Sequence, residues 1–130
     1  MTVKTCLLVT DDPDDHQAFS EVASEISESA IVLIILDSQK ALVLLKAQSH
    51  TFDYIFLDLF MQGIRINSFL KIIKNDLTIR SEVIVYGDES NFNTIENPTG
   101  LTFFNKEYKY SELRDFLRRF FEPPRISNYE

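Results

Sequence analysis

Acidic residues and one lysine follow three of the apolar runs in this sequence, each where a run ends. Asp11 and Asp12 follow the first run, Asp58 follows the third, and Lys106 follows the last. Carboxylate oxygens are ligands that Mg²⁺ accepts while keeping several waters, and an aspartate can act as a nucleophile. A lysine nearby supplies a mobile positive charge for a phosphoryl group. If these run ends meet, their chemistry is the transfer of a phosphoryl group to an aspartate.

Helix capping is a plainer explanation for part of this acidic cluster. Asp12 precedes Pro13, which suits the first turn of a helix, so Asp12 can be the N-cap and the carboxylates after it oppose the helix dipole. Capping accounts for one or two aspartates, whereas Asp11 lies before the helix. An acidic residue such as Asp58 is also common in the loop after a strand. His16 falls near this cluster, and we interpret it as a solvated helix residue rather than a metal ligand.

The apolar pattern predicts strands that alternate with helices along the chain. Strands are predicted at 3–9, 30–36, 54–57, 82–86 and 102–105. Helices are predicted at about 14–27, from about 38 to the break at 48–51, at 67–75, and from 111 to the prolines at 123 and 124. The segment 87–100 is rich in asparagine, so a fourth helix there is limited to one or two turns. This alternation predicts a doubly wound α/β fold with a parallel sheet.

Length and composition are those of one globular domain. The chain has 130 residues, of which 45% are hydrophobic and 25% charged, and this length suffices for a sizeable core. The net charge of -7 argues against nucleic acid or an anionic membrane as the main partner. Cys6 is the only cysteine, which excludes an intramolecular disulfide. The sequence has no apolar run of membrane-spanning length and no leader pattern, so we expect a cytoplasmic protein.

With these motifs in place, the sequence resembles the response-regulator receiver domain of two-component signalling over essentially the whole chain. The resemblance rests on four motifs in order: Asp11-Asp12, the stretch 52–61 around Asp58, Val-Ile-Val-Tyr at 83–86, and Phe-Phe-Asn-Lys at 103–106. It implies a flavodoxin-like, five-stranded parallel sheet in the order 2-1-3-4-5, with helices on both faces. It also implies a receiver domain at 1–124 and a short tail at 125–130.

The resemblance implies roles for individual residues as well. Asp58 would accept a phosphoryl group from the phosphohistidine of a sensor histidine kinase or of a histidine phosphotransfer protein. Mg²⁺ would be held by Asp11, Asp12, Asp58 and the backbone carbonyl of Phe60, and Lys106 would contact the phosphate.

Four positions depart from the family pattern. Gly87 stands where a Thr or Ser hydroxyl usually closes on the phosphate, and Asp88 stands where a small residue is usual. Gln62 and Glu107 each replace a proline. The switch positions are therefore Gly87 and the aromatic Phe103, whose rotamer reports the state in the resembling family. The residues that would accept the phosphoryl group are therefore retained, whereas the residues that would respond to it are altered.

Three hypotheses follow from the sequence. The first is a stand-alone receiver, a signalling module rather than an enzyme, that docks a downstream protein. The second is a pseudo-receiver that binds a partner without phosphorylation control, favoured by Gly87 and the poor fourth helix. The third is a metal-dependent phosphatase that uses Asp12-Pro13-Asp14 as an Asp-x-Asp motif. The sequence disfavours the third, because no cap domain and no second lysine motif accompany these residues.

Overall fold

The computed structural model describes residues 4–27, 30–47, 52–61, 65–76 and 79–121, and within these ranges strands and helices alternate. The strands are β1 (Lys4–Val9), β2 (Ala30–Ile35), β3 (Tyr54–Asp58), β4 (Glu82–Gly87) and β5 (Leu101–Asn105). The helices are α1 (Pro13–Ile26), α2 (Ser38–Lys46), α3 (Ile66–Asn75), α4 (Glu89–Phe92) and α5 (Tyr110–Phe121).

The strands form one parallel sheet in the order β2-β1-β3-β4-β5. Val9 of β1 pairs with Leu57 of β3, and Asp58 pairs with Tyr86 of β4. The predicted fold class and strand order are confirmed. Because all strands run the same way, their carboxyl ends meet at one edge, where ligands bind in open α/β sheets.

Alternate side chains of the central strands enter two separate cores. Leu7 and Ile55 pack in a largely aliphatic core on the side of α2 and α3. Leu8 and Phe56 pack in an aromatic core against α1 and α5, where the rings of Phe19 and Phe56 meet edge to face at 5.4 Å. Strands buried on both faces are typical of parallel sheets. The end of β3 is consequently held from both sides.

Element bounds agree with the sequence predictions to within one or two residues where the structure describes them. The fourth helix has four residues, in line with the prediction of one or two turns. Gln62, the prolines at 123 and 124 and the predicted tail at 125–130 lie outside the described residues, so the predicted end of the domain at 124 stays a prediction. No described helix combines the length and the apolar character needed to cross a membrane.

Candidate functional site

Asp58 is the last residue of β3, and its side chain is 1% exposed. Its Oδ2 accepts a hydrogen bond from the Thr10 hydroxyl at 2.7 Å and lies 3.2 Å from the Lys106 ammonium. Its Oδ1 accepts from the backbone N–H of Phe60 at 2.8 Å. A buried carboxylate is tolerated only where it is paired and hydrogen-bonded. Both oxygens of Asp58 meet that requirement, and its orientation is fixed.

Thr10 is a site residue that the sequence analysis missed. It comes directly after β1 and, because Val9 pairs with Leu57, it lies level with Asp58. Thr10 is fully buried, and its hydroxyl oxygen also accepts from the backbone N–H of Asp12 at 3.1 Å. The strand register alone could have found it, since the first residue past β1 must face the end of β3.

The two predicted acidic residues after β1 are placed differently. Asp11 is exposed. Asp12 is the N-cap of α1, with its Oδ1 accepting from the backbone N–H of Asp14 at 2.9 Å, while its Oδ2 lies 3.0 Å from Lys106 Nζ. Asp12 therefore caps the helix and pairs with the lysine at once. Asp14, the second acid of the Asp-x-Asp motif, is exposed in the first turn.

Burial and pairing act on the pKa of Asp12 in opposite directions. Desolvation raises the pKa of its carboxyl, but the Lys106 ammonium and the backbone N–H of Asp14 outweigh it and hold the pKa below its usual value. Asp12 consequently stays charged at neutral pH.

Lys106 joins three carboxylates at this edge. Its ammonium pairs with Asp12, with Asp15 and with Asp58, and its side chain is only 10% exposed. Its backbone N–H donates to the carbonyl of Gly87 at 2.9 Å, which anchors the residue to β4. Burial acts to lower the pKa of Lys106, but hydrogen bonds to Asp15 and Asp12 outweigh burial and raise it. An ammonium has three N–H donors, and here each has a carboxylate to receive it.

Asp15 is the second site residue that the sequence analysis missed. It lies in the first turn of α1, is 3% exposed, and accepts from the hydroxyls of Tyr86 at 3.2 Å and Tyr108 at 2.6 Å. Burial and this carboxylate together raise the pKa of both tyrosines above the usual value. Its position was readable in principle, because Phe19 follows it at the helical spacing of four residues on the buried face of α1.

The space beside Gly87 is filled by a neighbouring side chain. A Cβ at Gly87 would lie 2.8 Å from Asn91 Oδ1 and 3.0 Å from Leu59 Cβ. Asn91 belongs to a capping box, in which its Oδ1 accepts from the backbone N–H of Asp88 while Asp88 accepts from that of Asn91. Glycine at 87 is what permits this close approach.

Ser90 of α4 and Phe103, the second predicted switch position, lie toward the surface. The Ser90 hydroxyl donates to Asp88 Oδ1 at 2.6 Å, so Ser90 serves the helix cap. Phe103 is 38% exposed, and its ring meets that of Phe92 edge to face at 4.8 Å. Gly87 and Phe103 therefore take no part in the hydrogen bonds that join the Lys106 ammonium to the carboxylates.

The donor set suits Mg²⁺ in its chemistry, because carboxylate and carbonyl oxygens are the ligands that this ion takes. The carboxylates of Asp12 and Asp58 already share the Lys106 ammonium. In the part of the chain that the structure describes, no three Asp, Glu, His or Cys side chains are grouped so as to hold a metal ion. The residues fit the ion on condition that the ammonium gives way.

Structural comparison shows what this fold is similar to. The phosphorylated cyanobacterial phytochrome response regulator RcpA superposes with a TM-score of 0.74 at 20% identity, over 92% of this chain and 94% of that one. A two-component response regulator from Legionella pneumophila gives a TM-score of 0.74 at 21% identity, over 90% of this chain and 97% of that one. A response regulator receiver domain protein from Bacillus halodurans gives 0.72 at 21% identity, over 95% and 100%.

The chain has the receiver-domain fold. No protein-family model and no curated protein matches it by sequence. Sequence identities near 20% establish similarity of fold alone.

Proposed function

We propose that this protein is a stand-alone receiver that accepts a phosphoryl group on Asp58 and signals through protein–protein contacts. The observation that carries the proposal is the Asp58 carboxylate at the end of β3, oriented by Thr10 and Phe60 and paired with Lys106. A fixed anionic nucleophile beside a cation is what phosphoryl transfer to a carboxylate needs. The donor is a phosphohistidine on a sensor histidine kinase or a histidine phosphotransfer protein.

In the proposed step, an oxygen of Asp58 forms a new P–O bond while the P–N bond of the phosphohistidine breaks. The imidazole leaves with the electron pair of that bond and takes up a proton. The Lys106 ammonium stabilises the charge on the phosphoryl oxygens, as preformed cations do at developing charge. The receiver returns to its starting state when water cleaves the acyl phosphate, so we propose a signalling module rather than an enzyme with substrate turnover.

Asp11, Asp12, Asp58 and the backbone carbonyl of Phe60 are the groups we propose for Mg²⁺. When bound, the ion supplies positive charge against the repulsion between the carboxylates and the incoming phosphoryl group. The chain's own contribution is to hold Asp58 in one orientation and to keep a cationic side chain beside it.

Intact mass spectrometry after incubation with acetyl phosphate and Mg²⁺ tests the proposal. We expect the wild type to gain one phosphoryl group and Asp58→Asn to gain none, because asparagine has nearly the same shape but is not an anionic nucleophile. Asp14→Asn is the matched control, since it removes an exposed carboxylate from the same edge. Labelling of Asp58→Asn to the level of the wild type would refute the assignment.

The pseudo-receiver is a second candidate, and two observations favour it. Lys106 is already paired with three carboxylates, and the place of a switch hydroxyl at Gly87 is filled by Asn91. A wild type that gains no mass in the same experiment would select this function, in which the folded domain binds its partner without phosphorylation control.

A further inference from the structure

Asp15 has no part in the phosphoacceptor chemistry proposed above, yet three donors converge on its carboxylate. These donors are the hydroxyls of Tyr86 and Tyr108 and the ammonium of Lys106. Burying a carboxylate to 3% exposure is unfavourable unless it is paired and hydrogen-bonded. The donors come from β4 and from the segment after β5 and meet on a carboxylate of α1, which indicates a built arrangement.

The same ammonium is the group that a phosphoryl group on Asp58 would require. Lys106 lies 3.2 Å from Asp58 Oδ2 and is paired with Asp15 as well. Phosphorylation would bring additional negative charge to Asp58, and the Lys106 ammonium would then be shared between Asp15 and the phosphorylated Asp58. Charge-assisted hydrogen bonds are the strong ones, so the bond to Asp15 opposes the bond to the phosphoryl group.

We propose, on the basis of the proposed function, that Asp15 is an internal anion that competes with the phosphoryl group of Asp58 for Lys106. Asp15 is thus a positioning residue, which acts on the phosphoryl group through the lysine. Tyr86 and Tyr108 adjust the competition, because each hydroxyl that neutralises part of the Asp15 charge weakens its hold on Lys106.

The competition also offers a route by which phosphorylation is sensed. When Lys106 moves toward the phosphoryl group, Asp15 retains the hydrogen bond from Tyr108. The ring of Tyr108 stacks on Phe104 at 5.6 Å, and Phe104 stacks on Phe116 of α5 at 4.2 Å. A change at Asp15 is therefore carried by contacting rings to α5, without a hydroxyl at Gly87.

Beryllofluoride with Mg²⁺ is the probe, since it mimics a phosphoryl group on a carboxylate. Its half-saturating concentration is measured from the NMR shifts of the Tyr108 ring and of α5. We expect Asp15→Asn to lower this concentration about ten-fold, because one charge-assisted hydrogen bond no longer competes. Asp14→Asn is the matched control, with the same loss of charge in the same helical turn but an exposed side chain, and we expect it to leave the value within about two-fold.

Tyr108→Phe gives the second arm of the test, and its expected effect has the opposite sign. Without this hydroxyl, Asp15 depends more on Lys106, so the half-saturating concentration should rise by about three-fold. A merely structural role for the cluster would weaken binding in both variants. Opposite signs for Asp15→Asn and Tyr108→Phe support competition.

With one exception, each other outcome overturns the inference. If the wild type binds beryllofluoride and Asp15→Asn binds it with equal or lower affinity, the proposed competition is overturned. The proposed function still stands in that case. Failure of beryllofluoride to bind the wild type and Asp15→Asn alike would overturn both. Binding by Asp15→Asn but not by the wild type would be the strongest form of support, since it would show that Asp15 withholds the lysine.

Discussion

The two sides of the carboxyl edge of the sheet are built in contrasting ways. On the side of β1 and β3, Thr10, Asp15 and Asp58 are all at most 3% exposed and are joined by polar contacts that meet at Lys106 or Asp58. On the side of β4, the short helix α4 has no buried residue, and Phe103 is 38% exposed. One side is a satisfied, buried polar network, and the other is a capped loop at the surface.

The contrast shows that the two sides of this edge depend on different kinds of interaction. The buried side requires groups that lie on different strands and helices and that satisfy each other, because an unpaired buried charge is costly. The surface side depends on local hydrogen bonds between near neighbours, such as Asp88 and Asn91. Replacing one residue of the buried network should therefore affect the protein more than replacing one residue of the loop.

Thr10→Val should have the largest effect on stability. The variant removes a hydroxyl that donates to Asp58 and accepts from the N–H of Asp12. We expect a loss of about 1.5–3 kcal/mol in the free energy of unfolding, measured with urea, because a hydrogen bond to a buried charged group is lost. Thr10→Ser keeps the hydroxyl and is the control. A Thr10→Val variant as stable as the wild type would show that the hydroxyl does not stabilise this position.

Gly87→Ala should destabilise the protein by about 1 kcal/mol, as measured in the same way. The added Cβ lies too close to Asn91 and Leu59, and such overpacking destabilises the folded state by about 1–3 kcal/mol. Alanine also lowers the conformational entropy of the unfolded chain, which offsets about 0.4–1 kcal/mol of this loss. Gly87→Thr, intended to restore a switch hydroxyl, should be destabilised further for the same reason.

The double variant Gly87→Ala with Asn91→Ala sharpens this prediction. If Asn91 is the obstacle, Asn91→Ala relieves part of the strain, and the two changes together cost less than the sum of the single changes. Additive losses would mean that Leu59 is the obstacle.

Mg²⁺ should have the smallest effect on the wild type, because the Lys106 ammonium already neutralises the carboxylates. At millimolar Mg²⁺ the expected stabilisation is at most about 0.4 kcal/mol, the value reached when the concentration equals Kd, and it is observed as a small rise in melting temperature. Lys106→Ala should respond to millimolar Mg²⁺ with a larger rise, since the metal then takes over the role of the ammonium. Lys109→Ala, which removes an exposed lysine nearby, is the control. An equal response of wild type and Lys106→Ala would contradict competition between metal and lysine.

Local patterns in the sequence were sufficient for the fold. Contiguous apolar runs separated by helices of clear periodicity predicted a parallel sheet, and β3 with Asp58 at its end is where the pattern put it. The segment 87–100 contains few helix-forming residues, which likewise predicted that α4 would be short. These features depend on spacing between neighbours in the chain, which the sequence states directly.

The partners within the site depended on the tertiary structure. Asp11 and Asp12 are adjacent in the sequence, yet Asp11 is exposed and Asp12 pairs with Lys106. Thr10 and Asp15 look like ordinary flanking residues until the β1–β3 register and the packing of α1 bring them to Asp58 and Lys106. Such contacts join residues up to 94 positions apart, and the register and side-chain packing that create them are properties of the whole sheet. The sequence by itself determined which strand ends carry the acidic residues and the lysine, and the tertiary structure decided that the lysine is shared among three carboxylates.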